Sequence, residues 1–107
     1  MLYKVTDMDD YNNKLMSADG KLVVICFYTV WSRPCARLEI NLEEMSGNWD
    51  DVVFLKVDVE ECVDVAEDND ISVMPTIILM KNRTKVTALY GEATDEIEEV
   101  VMNHIDD

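Results

Sequence analysis

The sequence predicts an α/β fold: one central mixed β-sheet with helices on both faces, in the order β-α-β-α-β-α-β-β-α. Three observations predict it. Short runs of apolar, β-branched residues alternate with segments of helical period along the chain. The runs KLVVICFY (21–28) and VVFLKVDV (52–59) are nearly continuous in apolar residues, as strands covered on both faces are. The runs SVMPTIILMK (72–81) and TKVTALYG (84–91) are separated only by Asn82 and Arg83, the spacing of an antiparallel hairpin.

Each element has its own justification. LYKV (2–5) is a short strand. TDMDDYNNKLM (6–16) follows as a helix, with Thr6 or Asp7 as N-cap and Met8, Tyr11 and Leu15 on one face; Gly20 closes the unit. KLVVICFY is the first buried strand. SRPCARLEINLEEMSG (32–47) is a helix capped by Ser32, with Pro34 in its first turn, where a missing N–H costs nothing. Its residues Cys35, Leu38, Leu42 and Met45 recur at helical spacing, and Gly47 ends it. VVFLKVDV is the second buried strand. EECVDVAEDND (60–70) is a short acidic helix with Cys62, Val65 and Ala66 inward. In the hairpin, Asn82 tolerates a left-handed backbone and Arg83 does so less well, so the turn type stays open. ATDEIEEVVMNHI (93–105) closes the chain as an amphipathic helix, with Thr94 as N-cap and Ile97, Val100, Val101 and Ile105 inward. His104 lies near its carboxyl end, where the helix dipole favours a cation.

Length and charge narrow the function. With 107 residues the chain is expected to form a single domain, 1–107. The net charge of −14, from 23 acids against 9 bases, repels phosphate backbones and anionic membrane surfaces. Neither nucleic acid nor membrane is therefore expected as a partner. No apolar run is long enough to cross a bilayer, and the first residues lack the basic-then-apolar pattern of a signal peptide. A cytoplasmic protein is expected, with the nucleus also open to it. The three cysteines, Cys26, Cys35 and Cys62, have no zinc-site spacing and are accompanied by a single histidine, so no metal or cofactor is expected.

The stretch FYTVWSRPCARLE (27–39) carries the chemistry. It sets a Trp, a Pro and a Cys between a buried strand and a helix. Together with KLVVICFYTVW, FLKVDVEECVDVA, VMPT before the hairpin and YGEA before the last helix, it makes the chain resemble thioredoxin, of the short animal cytosolic type, from end to end. The resemblance implies the thioredoxin fold and a cis peptide bond before Pro75. It also implies a shallow groove that pairs with an extended segment of a partner protein. Trp31, Arg33, Pro34, Val73, Met74, Pro75 and Gly91 would border that groove, with Gly91 permitting close backbone approach. Thioredoxin reductase is a second partner implied by the family.

Three features depart from the family pattern. Its site is C-G-P-C, whose first Cys is the nucleophile and whose second resolves the mixed disulfide. Here the four residues are Ser32, Arg33, Pro34 and Cys35. An unactivated hydroxyl does not undergo thiol–disulfide exchange. The family's buried Asp, a proton acceptor beneath the second Cys, is replaced by Cys26; loss of a general base typically costs about 10²–10⁴ in rate. The Pro that kinks the family's helix is replaced by Ile40, so a more regular helix is expected.

Two function classes compete. One is a binding or redox-regulatory module that uses the groove without turnover. The other is a protein-disulfide reductase of weak or altered activity through Cys35, with Cys26 able to pair with it only if the backbones approach within about 7 Å. Cys35 sits where the start of a helix and Arg33 favour a thiolate, while burial opposes one. Cys62 matches a non-catalytic cysteine of animal thioredoxins and is expected to pack in the core.

Overall fold

The computed structural model describes residues 1–105. Five strands and four helices follow in chain order: β1 (Leu2–Lys4), α1 (Met8–Ser17), β2 (Leu22–Tyr28), α2 (Arg33–Ser46), β3 (Val53–Asp58), α3 (Val63–Asp68), β4 (Thr76–Lys81), β5 (Thr84–Tyr90), a 3₁₀ segment (Gly91–Glu96) and α4 (Ile97–His104). The strands form one sheet in the order β1-β3-β2-β4-β5. β1 and β2 both run parallel to β3, as crossover helices require. β4 lies antiparallel to β2, and β5 to β4. Among the described residues, no helix is long and apolar enough to cross a membrane.

Alternation along β2 divides the core in two. Leu22, Val24, Cys26 and Tyr28 face α2 and α4, meeting Cys35, Leu38, Leu42, Met45, Ile97 and Val101. Val23, Ile25 and Phe27 face the other side, with Tyr11 and Leu15 of α1 and Val65 of α3. Every residue of β2 is buried because β2 is central and covered on both faces. A fully buried Phe or Ile contributes about 1.5–3 kcal/mol, so the residues of this strand weigh heavily in the stability of the fold.

Local chemistry sets the element ends. Asp7 caps α1 by accepting from the Asp10 N–H at 2.8 Å, and Asp10 accepts from the Thr6 N–H at 2.9 Å. Lys14, one turn on, pairs with Asp10. These bonds hold the Asp10 carboxyl below the usual carboxylate range, the Lys14 bond foremost. Gly20 takes the left-handed conformation, φ +84°, and its N–H donates to the Asn82 side chain of the hairpin. Asn82 and Arg83 both have positive φ, 52° and 62°, which makes the hairpin turn type I′. Cys62 precedes α3 and points inward, its thiol 3.7 Å from the Val5 carbonyl; burial pushes it up.

The last helix differs from expectation. Residues 91–96 form a 3₁₀ segment and α4 begins only at Ile97. Thr94 is not its N-cap: the Thr94 hydroxyl turns back and donates to the Gly91 carbonyl at 2.6 Å. That local bond competes with the α-helical turn. Likewise β4 starts at Thr76, because residues 72–75 bend around the cis bond between Met74 and Pro75. α2 runs unbroken through Ile40, which faces solvent. His104 Nδ1 lies 2.7 Å from the Val100 carbonyl, placing the ring against the last turn of α4.

Candidate functional site

The carboxyl end of β2, the start of α2 and the bend before β4 converge at one end of the sheet. β2 ends at Tyr28, and Thr29, Val30 and Trp31 lead into α2. Ser32 takes an extended backbone and caps the helix, its hydroxyl oxygen accepting from the Cys35 N–H at 3.4 Å. The backbone N–H of Ser32 reaches the Thr29 carbonyl, and its carbonyl accepts from Ala36. Pro34 sits in the first turn, where no intrahelical N–H is needed.

This local structure decides where the sulfur goes. Cys35 begins the inward stripe of α2 and is only 1% exposed. Cys26, on the facing strand, is 2% exposed and belongs to the same cluster. Burial pushes the Cys26 thiol well above its usual range, and the neighbouring Cys35 adds to the shift. All three cysteines are free thiols. The Ser32 hydroxyl has no base beside it among the described residues: it bonds to the Cys35 backbone, and the histidine of the chain sits at the far end of α4. Among the described residues, no group of three or more His, Cys, Asp or Glu side chains is placed to hold a metal ion.

Trp31 is 72% exposed, and its ring is held by a 3.0 Å hydrogen bond from Nε1 to Glu60 Oε1. Glu60 is itself positioned by its backbone N–H, which donates to Asp58 at 2.9 Å. Sequence reasoning missed Glu60, since only the fold brings the segment after β3 beside the segment after β2. It also missed the Lys56–Glu39 ion pair, which joins β3 to α2 and lies over the Tyr28 ring, 5.7 Å from Lys56 Nζ. Burial first, then Asp58 and Glu39, pushes the Tyr28 hydroxyl up to about 12. The Thr29 hydroxyl is buried without a hydrogen-bond partner among the described residues.

A cleft of about 410 Å³ opens beside the first turns of α2. Pro34, Arg37, Leu38 and Asn41 form one wall, and Met74 and Pro75 line it between the walls. Gly91, Glu92, Thr94 and Asp95 form the other. The bend is braced by the Thr76 hydroxyl donating to the Val73 carbonyl and by the Gly91 N–H donating to the Pro75 carbonyl at 2.9 Å. Gly91 takes a positive φ, 56°, which favours glycine, and a Cβ there would meet nothing of the chain itself within 4 Å. Of the residues expected at the groove, Pro34, Met74, Pro75 and Gly91 line this cleft. Arg33 lines a shallow hollow beside it with Ala36 and Arg37. Trp31 and Val73 are exposed outside its walls. Arg37, Asn41, Glu92 and Asp95 were not foreseen, because no spacing in the sequence relates the two walls.

The geometry matches known proteins along nearly the whole chain. The family profile described as thioredoxin matches residues 2–103. The thioredoxin H-type of Brassica oleracea is 40% identical over 99 residues, covering 91% of this chain and 80% of that protein. The thioredoxin of the snake Ophiophagus hannah is 31% identical over 105 residues, covering 98% of this chain and 100% of its own. The crystal structure of thioredoxin NaTrxh from Nicotiana alata superposes with a TM-score of 0.91 at 30% identity, covering 97% of this chain and 92% of that one. Reduced Schistosoma mansoni thioredoxin gives 0.90 at 32% identity, covering 97% and 98%. The strand order, the cis bond before Pro75, the helix that starts at the W-S-R-P-C stretch and these likenesses agree: the chain belongs to the thioredoxin family.

Proposed function

We propose that this chain holds an extended segment of a partner protein in the cleft beside Met74 and Pro75 and does not turn over disulfides through a dithiol cycle. One observation carries the reading. Residue 32 is a capping serine, while the sulfur that remains, Cys35, is buried. A mixed disulfide needs an accessible thiolate, and a site with a hydroxyl outside and a buried thiol inside offers none. Cys26, buried and hard to ionise, stands where the family keeps a proton-accepting carboxylate. In this reading Ser32, Cys35 and Cys26 are the remains of the redox site. Trp31, Arg33, Pro34, Val73, Met74, Pro75 and Gly91 serve binding. The reading sets the protein in the cytoplasm, where its net charge of −14 suits a partner drawn from the soluble proteins rather than from nucleic acid or membrane. Thioredoxin reductase is a partner only in so far as it docks on this face, since residues 32 and 35 form no disulfide for it to reduce.

Reduction of a protein disulfide with dithiothreitol as donor tests this. The wild-type rate should equal that of Cys35→Ala. Ser32→Cys should raise it, and Ser32→Cys with Cys26→Asp should raise it further, by about 10²–10⁴ if the carboxylate acts as a general base. Sustained wild-type turnover above the Cys35→Ala control overturns the proposal.

A further inference from the structure

The cleft is lined by charges of both signs, Arg37 from α2 and Glu92 and Asp95 from the 91–96 segment. Of the nine basic residues, Lys4, Lys14 and Lys56 are ion-paired among the described residues. Lys21, Lys81, Arg83 and Lys85 lie at the start of β2 and around the hairpin, the end of the sheet away from the cleft. Only Arg33 and Arg37 remain. They stand four residues apart on α2, share one hollow, and Arg37 continues into the cleft. Neither has a carboxylate within 4 Å among the described residues, although Glu92 and Asp95 line the opposite wall.

Stability does not explain these arginines. Arg33, the first residue of α2, is a cation where the helix dipole disfavours one, and Arg37 lies beyond the first turn with no carboxylate partner among the described residues. α1, α3 and α4 each carry acids in the first turn, and α2 carries none. A chain with 23 acids keeps two cations side by side on α2, unpaired among the described residues, one at the helix start and the other in a cleft that two carboxylates also line. Local violations of this kind mark surfaces that meet something else.

We infer that the segment held in the cleft is charge-ordered, with acidic side chains toward the α2 wall at Arg33 and Arg37 and a basic side chain toward Glu92 and Asp95. The inference rests on the binding role proposed above and specifies its partner. Successive side chains of an extended segment point to opposite sides, so acid and base alternate toward the two walls. A partner of uniform acidity is repelled by the rest of this surface, whereas a uniformly basic one is drawn to it but leaves the two arginines facing like charge, so a segment carrying both signs fits best. The paired walls therefore also set which way the segment lies.

A random heptapeptide library displayed on phage and selected on the immobilised protein tests this. Peptides recovered on wild type should be enriched in acids and bases at alternating positions. Arg33→Glu with Arg37→Glu should remove the acidic preference, and Glu92→Lys with Asp95→Lys the basic one. A synthetic wild-type binder should lose about tenfold in affinity on the double arginine variant, and its affinity should fall between 0.05 and about 0.5 M salt. Thermal melts establish that the variants fold; positions 33 and 37 are exposed and Glu at 33 suits the helix dipole, so the arginine variant should melt within a few degrees of wild type. Selection of binders with no charge preference, or with one that both variants retain, overturns the charge order and leaves the binding role standing. Recovery of no binders that compete for the cleft overturns both.

Discussion

Replacing Cys26 by Asp would place a carboxylate in a site that does not suit one. Cys26 is 2% exposed, in the central strand, paired to Lys56 on one side and Ile77 on the other. Around it lie Cys35, Leu38, Val24 and Ile77. The nearest cation, Lys56, is already engaged by Glu39. A neutral carboxyl buried there without full hydrogen bonding costs about 1–3 kcal/mol. Ionising it costs more, so its folded-state pKa rises above the unfolded value. Between those two pKa values the native protein binds more protons than the unfolded chain, and stability falls as pH rises, by about 1.4 kcal/mol per unit. The penalty relative to wild type should therefore be about 1–3 kcal/mol at pH 4 and larger by about 2–4 kcal/mol at pH 7. Urea unfolding of wild type, Cys26→Asp and Cys26→Asn at pH 4, 5.5 and 7 measures it. The Asn variant should show a penalty that does not change with pH. A penalty for Cys26→Asp that is flat across this range would mean that the introduced carboxyl ionises freely, drawing Lys56 away from Glu39. A mutant more stable than wild type at pH 7 would refute the reasoning outright.

Arg83 occupies a left-handed conformation, φ 62°, which costs a non-glycine residue about 1–2 kcal/mol. After the entropy a glycine loses on folding, Arg83→Gly should still stabilise by about 0.5–1 kcal/mol, seen as a rise of a few degrees in Tm. The Asp10 carboxyl is held low by Lys14 and Thr6, so its stabilisation is present above the unfolded value of 3.8 and is lost as pH falls through the folded one. Asp10→Asn should accordingly be less stable by about 0.5–1 kcal/mol at pH 7, and the two proteins should converge well below pH 3.8 in acid-titrated melts. Cys26, Cys35 and Cys62 are all buried. Iodoacetamide should modify none of them at an appreciable rate in the native protein and all of them in denaturant; rapid native labelling of Cys35, read by intact mass, would argue for an accessible thiol.

Much of this was written in linear patterns. The continuous apolar run of β2 identifies a central strand because only a strand covered on both faces uses no polar residue. Asp7 and Ser32 are readable as caps because a cap acts within three residues of itself. The inward stripe from Cys35 to Met45 follows from helical period alone, and with it the burial of the remaining sulfur. That residue 32 carries a hydroxyl and residue 35 a thiol is plain in the residues themselves.

Other features depend on contacts between distant segments, which no local pattern encodes. Thr94 looks like a helix cap, yet it bonds back to Gly91 because the chain there is tied to the Pro75 carbonyl. Gly91 reads as a groove residue that permits close backbone approach, and the structure adds that it takes a positive φ, which the sequence alone does not disclose. The anchoring of Trp31 by Glu60, and the facing of Arg37 by Glu92 and Asp95, arise only when β2, β3 and β4 align at one end of the sheet. Secondary structure and helix capping are properties of short stretches, whose energies are set by neighbours in the chain. The shape and polarity of the cleft belong to the packed sheet, which makes neighbours of residues as far apart in the chain as Arg37 and Asp95.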